Sequence, residues 1–176
     1  MLLRFLNVAS YLVNMFLILI LRDLQDLRSI VEPAAVRLAA ERATPHDIAA
    51  LEEAFAGMTE AAHGDGDYVF HDLRFHQGLL RAGGNRLLLH MNKALSALLR
   101  SSFELSTSKK GGPIHSLPLH RAVLDAVIAR DPIHADRAIR VLIEGANLDI
   151  QEVLARRPRR ARVMPARTPT KKKVRI

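Results

Sequence analysis

The stretch DLRSIVEPAAVRLAAERATPHDIAALEEA, residues 26–54, decides how this chain folds. Leu27, Ile30 or Val31, Ala34 or Ala35, Leu38 and Ala39 recur at the three- and four-residue steps of a helix face. Thr44, Pro45 and Asp47 then punctuate: a capping hydroxyl, a proline suited to a first helical position, and an acid for the positive end of a new helix dipole. Ile48, Leu51, Phe55 and Met58 restart the helical spacing to about Ala62. The segment is therefore two amphipathic helices joined by a short turn. Pro33, inside the first, predicts a kink or a fresh start there.

The same pattern extends in both directions. HGDGD closes the second helix, and a third spans about Asp67 to Arg81 before AGGN ends it. A fourth helix covers Asn85 to about Leu105, and STSKKGGP (106–113) reads as a loop. A fifth covers about Leu117 to Ala129, and a sixth about Ile133 to Ala155. No segment alternates with period two between turn signals. The expected fold is all-α, an antiparallel bundle of six to seven helices.

Composition divides the chain into three parts: 1–21, 22–155 and 156–176. Residues 156–176 hold ten of the 26 Lys and Arg and none of the 18 Asp and Glu, so the body has 16 basic against 18 acidic groups. The net charge of +8 thus belongs to a tail whose prolines and charge run predict disorder. Such a tail holds nucleic acid or anionic surfaces weakly by phosphate attraction, or is simply a solvated terminus. Residues 5–21 form an apolar run of the shortest length that could span a membrane, interrupted by Asn7, Ser10 and Asn14. They read as a helix packed on the body or continuing into the next. There is no cysteine, which removes disulfides and thiolate metal sites and fits a reducing compartment.

Few residues carry chemistry. In FHDLRFHQGLL (70–80), Asp72 and His76 stand four apart and project together from one helix. A carboxylate oxygen and an imidazole nitrogen at that spacing can reach one divalent ion. They can equally be hydrogen-bonded residues at the edge of a core. His120, in LPLHRAVLDAV, lies on the stripe side of the fifth helix, and Arg28 neighbours the inner face of the first. His46, His63, His71, His90 and His115 read as surface or loop residues, and His134 has no evident partner. No nucleophile-plus-base pair, phosphate loop or paired-carboxylate arrangement is present.

Taken in order, DLRSIVEPAAVRLAAERATPHDIAALEEA, HDLRFHQGLLRAGGNRLL and LPLHRAVLDAVIARDPIHADRAI resemble the effector-binding domain of the FadR subfamily of GntR transcription regulators, over about residues 22–155. The resemblance implies a helical bundle around a polar cavity, a divalent metal (Zn, Ni or Mn) on Asp72, His76 and His120, and no enzymatic activity. It departs from the family's four-ligand pattern, because Leu142 occupies the place of the last histidine. Two expectations follow: a three-ligand site completed by water or an effector carboxylate, or a cavity that binds its effector without metal. RSIVEPAAVRLAAERAT also resembles the branch that senses sugar acids such as galactonate, which implies an organic-acid effector. Arg28 matches a family arginine that meets effector carboxylates, and Arg100 is a second candidate. The family implies a cytoplasmic dimer, either of this chain or with full-length relatives. Family members carry a winged helix-turn-helix ahead of this domain, whereas about twenty apolar residues precede the match here. DNA is thus expected to bind only through a reading head that this sequence lacks, or weakly through the tail. The alternatives are a small metal-dependent enzyme using Asp72, His76 and His120, and a truncated, non-functional fragment.

Overall fold

The computed structural model describes residues 2–64 and 66–156, which form six helices and, among these residues, no strand. These are α1 (Leu2–Arg42), α2 (Pro45–Ala62), α3 (Tyr68–Ala82), α4 (Arg86–Thr107), α5 (Gly112–Ile128) and α6 (Pro132–Arg156). The all-α antiparallel bundle expected from the sequence is the fold observed. α1 packs on α6 and α3, α2 on α3 and α5, α5 on α6, and α4 on α3 and α6.

The helix boundaries follow from local chemistry. Thr44 Oγ1 accepts from the Asp47 N–H at 3.2 Å while Asp47 Oδ2 accepts from the Thr44 N–H at 3.1 Å, a reciprocal capping box at the start of α2. Asp67 accepts from the Phe70 N–H, and Asn85 from the N–H groups of Leu87 and Leu88, so α3 and α4 are capped too. Gly84 takes the left-handed conformation (φ 70°) that stops α3. A Cβ on Gly83 would lie 3.0 Å from the Ala35 carbonyl, so glycine there lets α3 close against α1.

Pro33 neither breaks α1 nor restarts it: the helix runs through to Arg42. Proline denies the carbonyl four residues back its helical partner. That carbonyl, on Ser29, accepts instead from Arg140 Nη1 of α6 at 3.4 Å. Residues 2–21 continue into the domain as the first half of the same helix, with Met15, Phe16, Ile18 and Leu19 exposed. Among the described residues no helix is long and apolar enough to cross a membrane. The expected loop at 106–113 shrinks to four residues, 108–111. Ser106 and Thr107 donate back to the Phe103 carbonyl and prolong α4, and Pro113 sits in the first turn of α5, where its missing N–H costs nothing. The basic tail, 157–176, lies outside the described residues.

Two apolar clusters make the interior. The larger joins Val36, Ala39, Leu51, Met58, Phe75, Leu79, Val123, Leu124, Ile139 and Leu142 from α1, α2, α3, α5 and α6. The smaller joins Leu24, Val69, Leu73, Leu99 and Phe103 from α1, α3 and α4. Buried polar residues separate them: Gln25, Arg28, Glu32, Asp72, His76, Ser102 and His120. His76 stacks near Phe103 of the smaller cluster, and His120 near Phe75 of the larger.

Thr44→Ala should cost about 1 kcal/mol in denaturant unfolding, because the Asp47 N–H loses the hydroxyl that caps it. Burial works to raise the Asp47 carboxyl, but its bonds to Thr44 and the nearby Arg81 hold it below the usual value of 3.8. A depressed folded pKa contributes stability above the unfolded value and loses it on acidification. The stability margin of wild type over Asp47→Asn should therefore be full above about pH 4 and shrink as pH falls further.

Candidate functional site

Three elements deliver side chains to one point in the polar layer. On α3, Asp72 and His76 lie one turn apart, and α5 brings His120 across to them. Asp72 Oδ1 lies 3.1 Å from His120 Nε2 and 3.3 Å from His76 Nε2. The three side chains are 3–7% exposed, and one ligand atom from each falls within 4.8 Å of the others. α1 supplies the opposite wall: Arg28 Nε donates to Glu32 Oε1 at 2.7 Å, and its guanidinium sits 4.7 Å from the centre of the Phe103 ring. Glu32 Oε2 is 2.9 Å from His76 Nδ1, within ion-pair reach, but the two atoms lack the alignment of a hydrogen bond.

The protons here are over-constrained. His120 Nδ1 lies 2.9 Å from the Ser116 carbonyl, which can only accept, so that nitrogen carries the proton. Tyr68 donates to the Ser116 hydroxyl at 2.5 Å, and that hydroxyl donates to the Pro113 carbonyl, which fixes the turn. With Nδ1 committed to that carbonyl, His120 Nε2 faces the Asp72 carboxylate either with a bare lone pair or with a second proton. His76 has carboxylate oxygens beside both of its nitrogens. Lone pair against lone pair at side chains only 3–7% exposed is unfavourable, so each contact favours a proton or a cation between its partners.

In the absence of a cation, the proton takes that place. Burial works to lower the His76 pKa, but the Glu32 and Asp72 carboxylates overcome it and lift the value to about 9. Burial likewise works to raise Glu32 and Asp72, and it is outweighed. Arg28 and His76 hold Glu32 at about 2, and His120 and His76 hold Asp72 well below the carboxylate range.

Two of the separations in this cluster suit a shared divalent ion. Ligands about 2.1 Å from a metal stand roughly 3.0 Å apart at octahedral angles and roughly 3.4 Å apart at tetrahedral ones. The Asp72 separations of 3.1 and 3.3 Å lie in that range. One oxygen and two imidazole nitrogens are a borderline donor set suited to Zn, Ni or Mn. Leu142 is buried on the cavity wall, where it offers no fourth ligand.

The cluster opens on a cavity of ≈ 250 Å³ between α1, α3, α4, α5 and α6. At roughly 30 Å³ per water that is room for about eight waters, the size of a small organic molecule. Arg28, Asp72, His76 and His120 line its inner end; Lys109, Asp149 and His115 line its more open side. Arg100 is not among the lining residues. The inward stripe of α4 is Leu99, Ser102, Phe103 and Ser106, and Arg100 sits off it, 3.7 Å from both Asp67 and Glu104. His115, read from the sequence as a surface residue, is exposed yet lines the cavity. His71 is half-buried, its ring in the space a Cβ on Gly57 would need. His134 pairs with Asp131, 2.5 Å away. Glu32 was not a sequence candidate. Its signal was present: it lies four residues after Arg28, on the face that Val36 and Ala39 continue into the core.

The sequence profile of the FCD domain matches residues 23–145. The chain belongs to the FCD domain family. It is 30% identical over 131 residues to the galactonate operon transcriptional repressor of Escherichia coli K12, covering 74% of this chain and 57% of that protein. It is also 30% identical over 120 residues to the transcriptional repressor NanR of Salmonella newport, covering 65% and 45%. The chain thus spans about half the length of these relatives, both of them transcriptional repressors. Among solved structures, a GntR protein of Streptococcus agalactiae superposes with a TM-score of 0.61 at 26% identity, over 73% of this chain and 58% of that one. The metal-free FCD domain of TM0439 superposes with a TM-score of 0.60 at 16% identity, over 77% and 94%, a likeness of fold.

Within this FCD domain, Glu32 balances both Arg28 and His76. Glu32→Leu should cost about 3–5 kcal/mol in denaturant unfolding, since it strands buried positive charge. Adding Arg28→Met should recover part of that loss. Additive losses would show that the pair is not coupled.

Proposed function

We propose that this FCD domain is the ligand-sensing and dimerising part of a GntR-type transcription regulator, and that its bundle cavity binds a small organic acid together with a divalent metal ion. The observation that carries the reading is the convergence of Asp72 Oδ1, His76 Nε2 and His120 Nε2 at the closed end of a cavity that Arg28 also lines. When bound, the metal would supply a positive centre open to an anionic oxygen, with His76, His120 and Asp72 as its protein ligands.

The charges favour a monoacid. With neutral imidazoles, Arg28, Glu32 and Asp72 sum to −1. A divalent ion makes the cluster +1, and one effector carboxylate brings it to zero. Arg28 suits the carboxylate, because its planar fork matches two oxygens at once. The repressor similar to this chain is named for galactonate, a hydroxylated acid of suitable size, and that supports a sugar acid as the class.

Arg28 also connects the cavity to the rest of the bundle. Its Nη1 lies 3.4 Å from Gln25 Oε1, and Gln25 Nε2 donates to Ser102 Oγ of α4 at 2.7 Å. An acid that draws on Arg28 changes the balance of this α1–α4 bridge. Binding would then select one of two helix arrangements, and in a complete regulator that selection would reposition DNA-reading heads.

Addition of Zn, Ni or Mn should raise the thermal midpoint of the purified chain, and His76→Ala or His120→Ala should remove the rise. In metal-loaded protein, a panel of sugar acids and hydroxy acids should include members that raise the midpoint further, by the stabilisation any native-state ligand gives. Arg28→Met should keep the response to metal and lose the response to acid. Indifference of wild type to all three metals would remove the metal from this account, and indifference to every acid would remove the effector.

A further inference from the structure

We propose that Lys109 and Asp149, facing each other on the open side of the cavity, form a hydroxyl-recognition subsite that restricts the effector to monoacids with a neutral, hydroxylated far end. The inference rests on reading the cavity as an organic-acid site and adds what the rest of that acid must be.

Lys109 lies in the four-residue turn between α4 and α5, and its Nζ is 2.7 Å from Asp149 Oδ1 and 2.7 Å from Glu152 Oε2 on α6. Glu152 is shared with Arg156 one turn on. Side-chain exposures of 29% for Lys109 and 22% for Asp149, against 3–7% for Asp72, His76 and His120, set this pair toward the mouth. Both residues line the same cavity as Arg28.

The pair is already balanced, and this determines what can sit against it. Lys109 has no surplus positive charge for a second carboxylate, because two acids hold it. Asp149 has no surplus negative charge for an ammonium, because Lys109 holds it. A partly desolvated charge without a counter-ion is costly at either position. What remains is neutral capacity. An ammonium has three donors, two of them directed at Asp149 and Glu152, and Asp149 keeps Oδ2 as an acceptor. A hydroxyl group both accepts and donates without carrying charge, so a single one satisfies the two together.

The adjoining wall has the same character. The Ser106 and Thr107 hydroxyls also line the cavity and donate to the Phe103 carbonyl, at 3.1 and 2.6 Å. Their hydrogens are spent and their lone pairs accept. An acid bearing several hydroxyls can donate to this wall and to Asp149, whereas an alkyl chain would leave those acceptors unpaired.

Calorimetric titration of the metal-loaded full chain with four probes tests this. The probes are a mixed set of six-carbon aldonates, hexanoate (no hydroxyls), adipate (a second acid at the far end) and 6-aminohexanoate (an ammonium there). At least one aldonate should bind tenfold or more tighter than each of the other three. Lys109→Met and Asp149→Leu should each weaken that aldonate about tenfold and leave hexanoate unchanged. Asp149→Asn, which keeps a hydrogen-bonding group and leaves Lys109 only Glu152, a carboxylate it shares with Arg156, should improve adipate relative to the aldonate. Hexanoate, adipate or 6-aminohexanoate binding as tightly as every aldonate overturns the subsite while leaving the acid site standing. So does an aldonate affinity unmoved by both Lys109→Met and Asp149→Leu. Failure of all four probes to bind overturns the subsite and the organic-acid reading together.

Discussion

One carboxylate oxygen facing two imidazole nitrogens is the constraint on which this structure turns. Asp72 Oδ1 stands 3.1 Å from His120 Nε2 and 3.3 Å from His76 Nε2, all three residues buried. The far side of each ring is committed, to the Ser116 carbonyl for His120 and to the Glu32 carboxylate for His76. His120 cannot turn away without losing its bond to the Ser116 carbonyl, which costs about 1–3 kcal/mol, and His76 cannot turn away without leaving the Glu32 carboxylate beside it. The point where the three atoms meet therefore demands positive charge. A proton on His76 meets the demand in part; a divalent ion meets it on both rings at once.

Such an arrangement is a poor way to gain stability. Apolar residues of similar volume often serve a core as well as, or better than, a buried ion pair. Two apolar clusters flank the polar layer, and either could have been extended through it. The layer instead keeps Arg28, Glu32, Asp72, His76 and His120 in contact with a cavity of ≈ 250 Å³. With neutral imidazoles the wall sums to −1, so it suits an anion only together with a cation. On the proposed reading, Leu142 would leave a bound metal with three protein ligands, and an oxygen of the effector would complete its shell.

Much of this could be read from residue order, and the failures have physical causes. Caps at Thr44, Asp67 and Asn85 are local, so the starts of α2, α3 and α4 were legible to within a residue or two. Asp72 and His76 declared a shared face by their spacing. That His120 meets them is a tertiary fact, which spacing along one helix cannot contain; the family resemblance supplied it. Pro33 suggests a kink or a fresh start, and the sequence around it cannot show that α1 runs on, because the compensating donor, Arg140, is more than a hundred residues away. The 106–113 loop was overdrawn because Ser, Gly and Pro also begin and end helices. That Arg100 lies off the cavity lining is not legible in the sequence: at about 100° per residue, the neighbour of a buried Leu99 faces solvent as readily as the interior. Glu32 went unassigned because a glutamate before proline looks like a boundary residue until α1 is seen to continue.

X-ray absorption at the metal edge tests the central claim most directly, on protein loaded with one equivalent of nickel and then titrated with an acid found to bind. Imidazole multiple scattering should correspond to two histidine ligands, with oxygen donors filling the remaining positions, and the acid should change the oxygen shell while both histidines stay. A spectrum with no imidazole scattering, or one unchanged in His76→Ala and His120→Ala, would contradict the account.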